Sequence, residues 1–308
     1  MISKIVAIQG NHPSKLNPVT DTTIFLANEI QSKNYRVFYY DPKDLSIIDS
    51  KVIANGFFVK FNYKNEKFFK ILKYQKFDLR KCKFILIRQD PPFNLEYIST
   101  TYILDKLKKN VKIVNDPTSI RNISEKLYSS KYLKFMPQTI FTQNIQEVKK
   151  FFTAHKKIIL KPIHSFSGND IYLLAKFDLK LIKNFIKKHG HIMCQKYLPK
   201  IYKGDKRVFL INGKVSGAIS RVPKKGSFLS NMSKGAKPIN TKLTKIELTI
   251  SKSIANDLKK EKIFFAGIDF IDQKLNGDIN VTSPTGLKTF YDLSKINLAK
   301  TFWKELKA

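Results

Sequence analysis

Cysteine is nearly missing from this sequence. Cys82 and Cys194 are the only two in 308 residues, which excludes a disulfide framework and a cysteine-rich zinc site. Acidic residues are also few, 24 against 57 lysines and arginines, for a formal net charge of +33. Long apolar runs are absent too. The opening MISKIVAIQG is too short for a secretory signal and no later stretch is long and apolar enough to cross a bilayer, so a cytoplasmic location and no membrane partner are expected. What remains describes a folded protein. Hydrophobic residues make up 43% and aromatics 12%, enough at this length for two or three subdomains and a substantial core.

The basic excess invites a polyanion partner such as nucleic acid. Its distribution argues otherwise. It is nearly all lysine, spread along the chain among Ile, Asn, Phe and Tyr, with no basic block interleaved with aromatics. It reads as compositional bias, and no nucleic-acid partner is expected. Against that background the arginines are informative. There are six: Arg36, Arg80, Arg88, Arg121, Arg207 and Arg221. Where lysine is the default cation, arginine marks places that need a planar fork of donors for carboxylate or phosphate. Arg88, Arg207 and Arg221 sit inside motifs; Arg36 and Arg80 do not and are expected at the surface.

The fold class is α/β. A strand at 3–9, a polar loop, a helix over about 21–31 and a strand at 35–40 form a βαβ unit, which predicts a parallel sheet. The segment 41–77 alternates irregularly and receives no assignment. KFILI (83–87) is a buried-type strand that delivers Arg88-Gln89-Asp90-Pro91-Pro92 at its carboxyl end, where open α/β sheets gather ligands. Arg88 there either clamps a substrate carboxylate or pairs with Asp90. A helix at about 96–108 and a strand at 111–115 lead to a helix opened by Asp116-Pro117, expected to carry Glu125 and Lys126 towards Tyr132. Further on, KIILKP (157–162) ends a buried strand on Lys161, a costly position unless an anion meets it. HSFSGN (164–169) follows, a small-residue turn containing Ser167 and Gly168 whose backbone amides can fold over phosphates. His189 and His191 flank Gly190 in what reads as a solvated loop, not a metal site.

The most chemistry is concentrated in FFAGIDFIDQKLNGDINVTSPTG (264–286). It reads as a hairpin turned at Asn276-Gly277. Residues two apart in a strand point the same way, so Asp278 and Asn280 share a face, with Asp269 on the neighbouring strand. Two carboxylates and an amide oxygen on a rigid sheet suit Mg²⁺ bridging a nucleotide's phosphates. The alternative is an ordinary hairpin whose polar residues face solvent.

Taken in order, several segments resemble an ATP-grasp ligase, and more closely the bacterial glutathione synthetase family. They are ILIRQDPPFN (85–94), STTYILD (99–105), VNDPTSIRNISEKL (114–127), IILKP (158–162), QKYLP (195–199), GDKRVFLINGK (204–214), SRVP (220–223) and FAGIDFID…DINVTSPTG (265–286). The resemblance implies an ATP-grasp fold: a preATP-grasp parallel-sheet substrate domain at 1–122 and an ATP-grasp domain at 123–308 with a lid subdomain at about 135–197. It implies that Lys126, Lys161, Ser167 and Gly168 meet the phosphates of ATP, that Gln195, Tyr197 and Leu198 line the adenine pocket, and that Asp205 holds the ribose side. Asp269, Asp278 and Asn280 would carry Mg²⁺ (or Mn²⁺), and Arg207 and Arg221 would stabilise the transferring phosphoryl group. Arg88, Asn231, Ser283, Pro284, Thr285 and Gly286 would meet the substrates, γ-glutamylcysteine and glycine in the family. A homo-oligomer is implied as well.

The sequence also departs from the family pattern. Ser165, Phe166 and Ser167 stand where glycines are expected, Leu229 where an arginine is expected, and Asp278 where a glutamate is usual. Three readings remain open on the sequence: a glutathione synthase, a divergent ligase with another acid and amine, and an ATP-binding paralogue without ligase chemistry.

Overall fold

The computed structural model describes residues 4–165 and 168–308. The first sheet begins with β1 (Ile5–Gln9), α1 (Thr22–Gln31) and β2 (Arg36–Tyr40). β1 pairs in parallel with β2, and Asp21 caps α1 by accepting from the Ile24 amide at 2.8 Å. The unassigned stretch becomes β3 (Leu45–Ile48), β4 (Lys51–Phe61) and β5 (Phe69–Asp78). β4 runs antiparallel to all three neighbours, with β3 and β2 end to end along one edge and β5 on the other. The expected parallel sheet is therefore mixed. The irregular alternation arose because β4 is flanked on both edges, while β5 is an edge strand with exposed Leu72 and Tyr74. The sheet is completed by β6 (Phe84–Ile87), α2 (Leu95–Asp105) and β7 (Lys112–Val114), β6 lying parallel to both β1 and β7.

α3 (Pro117–Asn122) is capped by Asp116 but stops short of the expected reach. Ile123 is extended, and Lys126 precedes a run of 3-10 turns at 127–135 instead of riding on a helix. A small antiparallel sheet follows, built from β8 (Thr139–Thr142), α4 (Ile145–His155), β9 (Ile158–Pro162), β10 (Tyr172–Leu174), α5 (Leu179–His189) and β11 (Ile192–Lys196). Its strand order is β10-β9-β11-β8, and both helices press on one face around Val148, Leu160, Ile182 and Cys194. Both cysteines are free and buried.

The last sheet has the order β14-β13-β12-β15-β16, formed by β12 (Asp205–Ile211), β13 (Lys214–Val222), β14 (Lys237–Asn240), α6 (Lys245–Lys260), β15 (Phe265–Ile271) and β16 (Lys274–Asn280). The β15–β16 hairpin forms, but its turn is not at Asn276-Gly277. Ile271 pairs with Lys274, so the loop is Asp272-Gln273, with φ of 48° and 64°. Two successive positive φ values are what a right-twisted two-residue hairpin needs. Asn276-Gly277 instead lies inside β16, where the register slips and Gly277 takes φ 86°. Asn276, Asp278 and Asn280 consequently share one half-buried face, while Leu275 and Ile279 are buried on the other.

α7 (Leu287–Ser294) and α8 (Leu298–Glu305) return the chain to the first sheet. Trp303 donates its indole N–H to the Leu26 carbonyl at 2.9 Å, and one apolar core joins Ile8 and Phe84 to Phe209, Phe265 and Phe302. Buried Asn115 fixes the seam. Its Nδ2 donates to the carbonyls of Phe265 (2.7 Å) and Val281 (2.6 Å), and its Oδ1 accepts from the amides of Phe264 (2.9 Å) and Phe265 (2.8 Å). Asn115→Leu strands these buried backbone groups, each worth about 1–3 kcal/mol. A loss of at least about 3 kcal/mol is expected from urea unfolding; an unchanged midpoint would mean that water replaces the amide.

Candidate active site

A cleft of about 860 Å³ opens between the small sheet and the last sheet. Its inner wall is an apolar slot in which Ile159, Tyr197, Ile201 and Ile271 pack with Leu198 and Phe228. A flat apolar slot of this kind accepts a planar aromatic ring. Gln195 borders it from β11, its Nε2 donating to Thr139 Oγ1 at 3.1 Å.

Beyond the slot the lining turns cationic. Lys126 and Lys161 are 4% and 3% exposed, yet both point at one carboxylate, Asp278, at 3.4 and 3.7 Å. Lys126 also donates to the Ser165 carbonyl at 2.7 Å. Burial lowers the Lys161 ammonium below the usual lysine value; Asp278 opposes that shift and Lys126 adds to it. Two buried ammonium groups sharing one carboxylate leave a positive charge that only a further anion neutralises.

Lys161 is steered by a residue that the sequence reading assigned to a turn. Asn276 offers it both a backbone carbonyl at 2.8 Å and Oδ1 at 2.9 Å, which the bulge in β16 makes possible. Asn276→Ala removes one charged hydrogen bond, worth about 1.5–3 kcal/mol. The urea midpoint is expected to fall accordingly, and the cleft to hold an anionic ligand more weakly. An unaltered midpoint and affinity would leave the carbonyl as a sufficient anchor.

The floor is an alternation of guanidinium and carboxylate. Arg207 grips Asp269 with Nε at 2.5 Å and Nη2 at 2.8 Å. Arg221 grips Asp205 with Nε at 2.8 Å and Nη2 at 2.5 Å, and reaches Asp269 at 3.1 Å. Asp205 also accepts from Ser230 Oγ at 2.6 Å. Burial works against the charge on Asp269, but Arg207 and Arg221 together hold its carboxyl at about 2. Asp205, read as a ribose contact, is thus occupied in orienting Arg221.

A second cleft of about 1330 Å³ continues from the first, towards the carboxyl ends of β1 and β6. Asn231, Ser283, Pro284 and Thr285 line it, with Asp21 and Asp90 opposite. Gly286 stands behind, its amide donating to Thr22 Oγ1 at 3.0 Å. Arg88 lies behind this cleft. Its Nε donates to Thr23 Oγ1 and its Nη1 to the Pro284 carbonyl, both at 3.0 Å, while Asp90 accepts from Asn11 at 2.8 Å. Arg88 is buried bracing the 283–286 loop. Asp90, one of the two partners offered by the sequence, is not among these bonds.

Glu125 and Asn231, unlike the two lysines, border both clefts. Gly168 lies against Asn231 so closely that a Cβ there would stand 2.4 Å from Asn231 Oδ1 and 3.7 Å from Leu229. Gly168 and Asn231 therefore meet at the border of the first cleft. Ser167 falls outside the described residues.

The donor set suits a hard divalent cation shared with phosphate oxygens. Asn280 Nδ2 is tied to the Gly267 carbonyl at 3.1 Å, which leaves its amide oxygen to face the cleft with Asp278. Asp269, by contrast, has both oxygens engaged by arginine. Among the described residues no group of three or more His, Cys, Asp or Glu is gathered as a self-sufficient metal cage.

Comparison with known proteins gives the same assignment at both ends of the chain. The model of the prokaryotic glutathione synthetase N-terminal domain matches residues 5–121, and that of the prokaryotic glutathione synthetase ATP-grasp domain matches residues 125–295. The chain is 34% identical over 305 residues to the glutathione synthetase of Agrobacterium fabrum, covering 97% of this chain and 95% of that one. It is 35% identical over 308 residues to the glutathione synthetase of Brucella melitensis, covering 98% of each. Among solved structures, D-alanyl-alanine synthetase A of Vibrio cholerae has the same fold at 14% identity, with a TM-score of 0.64 over 100% of this chain and 98% of that one.

Proposed function

Since the chain belongs to the prokaryotic glutathione synthetase family, we propose a division of labour among its residues in the reaction that family performs. The protein is an ATP-dependent ligase that forms a C–N bond, joining γ-glutamylcysteine to glycine. ATP places its adenine in the slot of Ile159, Tyr197, Leu198 and Ile271, with Gln195 at the ring's edge and the phosphates on Lys126, Lys161 and Gly168. The observation that carries this reading is the pair of buried ammonium groups on a single carboxylate.

A carboxylate is too poor an electrophile to form an amide, so the acid must first become an acyl phosphate. The acid lies in the second cleft against Ser283, Pro284 and Thr285, and the transferring phosphoryl group meets Arg207 and Arg221 where the clefts join. Asp205 and Asp269 aim those guanidinium groups and keep them from being drawn to solvent. Asp278 and Asn280 would hold Mg²⁺, with Asp269 joining them where an arginine yields one of its oxygens, and the ion would supply neutralisation of phosphate charge. Contact of Gly168 with the 229–231 loop excludes water that would hydrolyse the intermediate. The division into a substrate domain at 1–122 and an ATP-grasp domain at 123–308, with a lid at about 135–197, belongs to the same reading, as do a cytoplasmic location and a homo-oligomer.

The test is Mg²⁺-dependent ADP release with γ-glutamylcysteine, with and without glycine, following the product by mass. Glutathione formation that needs both substrates is expected. ADP release only with a different acid would rename the substrate, and ATP binding without turnover on any pair would overturn the ligase assignment for this chain.

A further inference from the structure

Among the described residues the two clefts have five lining residues in common: Glu125, Arg207, Arg221, Asn231 and Asn280. This junction is where a γ-phosphate and an acid substrate must meet, and so where the second substrate must attack. Its chemistry is uneven. Two guanidinium groups suit the phosphoryl oxygens, two amides are neutral, and one residue, Glu125, is an anion. The incoming amine arrives as an ammonium ion and needs an acceptor at the point of attack. Of the other carboxylates, Asp205, Asp269 and Asp278 border the nucleotide cleft alone, and Asp21 and Asp90 only the far cleft.

Glu125 is also built to be held still. Its Oε1 accepts from the amides of Val281 (2.8 Å) and Thr282 (3.0 Å) and from Thr282 Oγ1 (2.9 Å), and its backbone carbonyl accepts from the Ile279 amide at 3.1 Å. All three side-chain bonds fall on one oxygen. The carboxylate is thereby fixed to the end of β16 with its second oxygen free to turn to the junction. The charge strengthens each of those three bonds, and because all of them fall on Oε1 they leave Oε2 with its own acceptor capacity for a cationic partner.

We propose that Glu125 is the specificity-determining contact for the amine substrate, its Oε2 receiving the ammonium group of a small amino acid; the inference rests on the ligase reading above. As the C–N bond forms, the acyl C–O bond to phosphate breaks. Of the two protons the nitrogen gives up, one passes through Glu125 to solvent and the other leaves with the phosphate.

Glu125→Gln separates this role from simple bracing, since the glutamine keeps the Oε1 acceptor and loses the charge. With ATP and γ-glutamylcysteine saturating, KM for glycine is expected to rise about ten-fold or more, the loss of one charged hydrogen bond. KM for ATP and for the acid should stay within two-fold, with at most a small fall in the melting temperature, because the amide oxygen keeps the acceptor and loses only its charge. Thermal stabilisation by glycine in the presence of a non-hydrolysable ATP analogue and the acid should vanish in step. Glu125→Ala should, in addition, lower the melting temperature. A glutamine variant with the wild-type KM for glycine would overturn the proposal while leaving the ligase intact. Wild-type protein with no glycine-dependent turnover and no glycine-dependent stabilisation would overturn both.

Discussion

Arg221→Leu is expected to cost about 3–5 kcal/mol of stability, the measured range for breaking a buried ion pair by removing one partner, and to abolish detectable ADP release. Arg221 is 5% exposed and lies between two carboxylates that are themselves buried, Asp205 and Asp269. Burial alone would lower its proton affinity, yet the combined pull of Asp205 and Asp269 raises it above the ordinary arginine value. Without it, among the described residues Asp205 keeps only Ser230 and Asp269 only Arg207. Arg221→Lys returns the charge but not the fork, so it should recover part of the stability and little of the turnover. The acid limb gives a second readout. The Asp269 carboxyl falls from an ordinary 3.8 to about 2 in the folded protein, so its contribution is fully present above 3.8 and is lost as pH falls from there towards 2. In Arg221→Leu the folded value rises towards 3.8, so that loss should be smaller and complete at a higher pH. A variant with the wild-type urea midpoint and acid profile would show that the two carboxylates are not held as charges.

The scarcity of arginine proved a usable signal. Arg88, Arg207 and Arg221 are all buried, whereas Arg36 and Arg80 are exposed. What the signal did not carry was the partner. Arg88 pairs with Thr23 and a carbonyl near residue 284, contacts 65 and 196 residues away in sequence. Apolar runs such as those of β1 and β9 were legible because burial on both faces leaves no polar position to confuse the pattern. The 41–77 region was not, because β5 is exposed and the period of its pattern is diluted by lysine. Asn276-Gly277 misled for a related reason. An Asn-Gly pair tolerates positive φ, which both a turn and a bulge require, and the sequence around it cannot say which is built. The bonding of Asn115 and Glu125 could not be read from the sequence because it is entirely tertiary: each satisfies backbone groups about 150 residues distant.

Lys161→Met should move stability and activity in opposite directions. In the free protein Lys161 is a buried ammonium whose proton affinity burial depresses, close to a second ammonium and short of a full counter-charge. A methionine of similar length removes that desolvation cost and the repulsion with Lys126, which offsets the loss of its two hydrogen bonds to Asn276, so the variant should melt at the wild-type temperature or slightly above it. Turnover should nevertheless fall by about 10²–10³-fold, the usual penalty for losing a preorganised charge from a site where phosphoryl charge develops. Stabilisation by added ATP should shrink with it, because the ammonium and the phosphates compensate each other only when both are present. The contrast with Arg221 follows from counter-charge. Arg221 is matched by two carboxylates in the free protein and is therefore part of its stability; Lys161 shares one carboxylate with a second lysine and is matched by the substrate. A Lys161→Met protein that lost several kilocalories of stability, or that kept its response to ATP, would place the lysine among the structural cations and remove the phosphates from its side of the cleft.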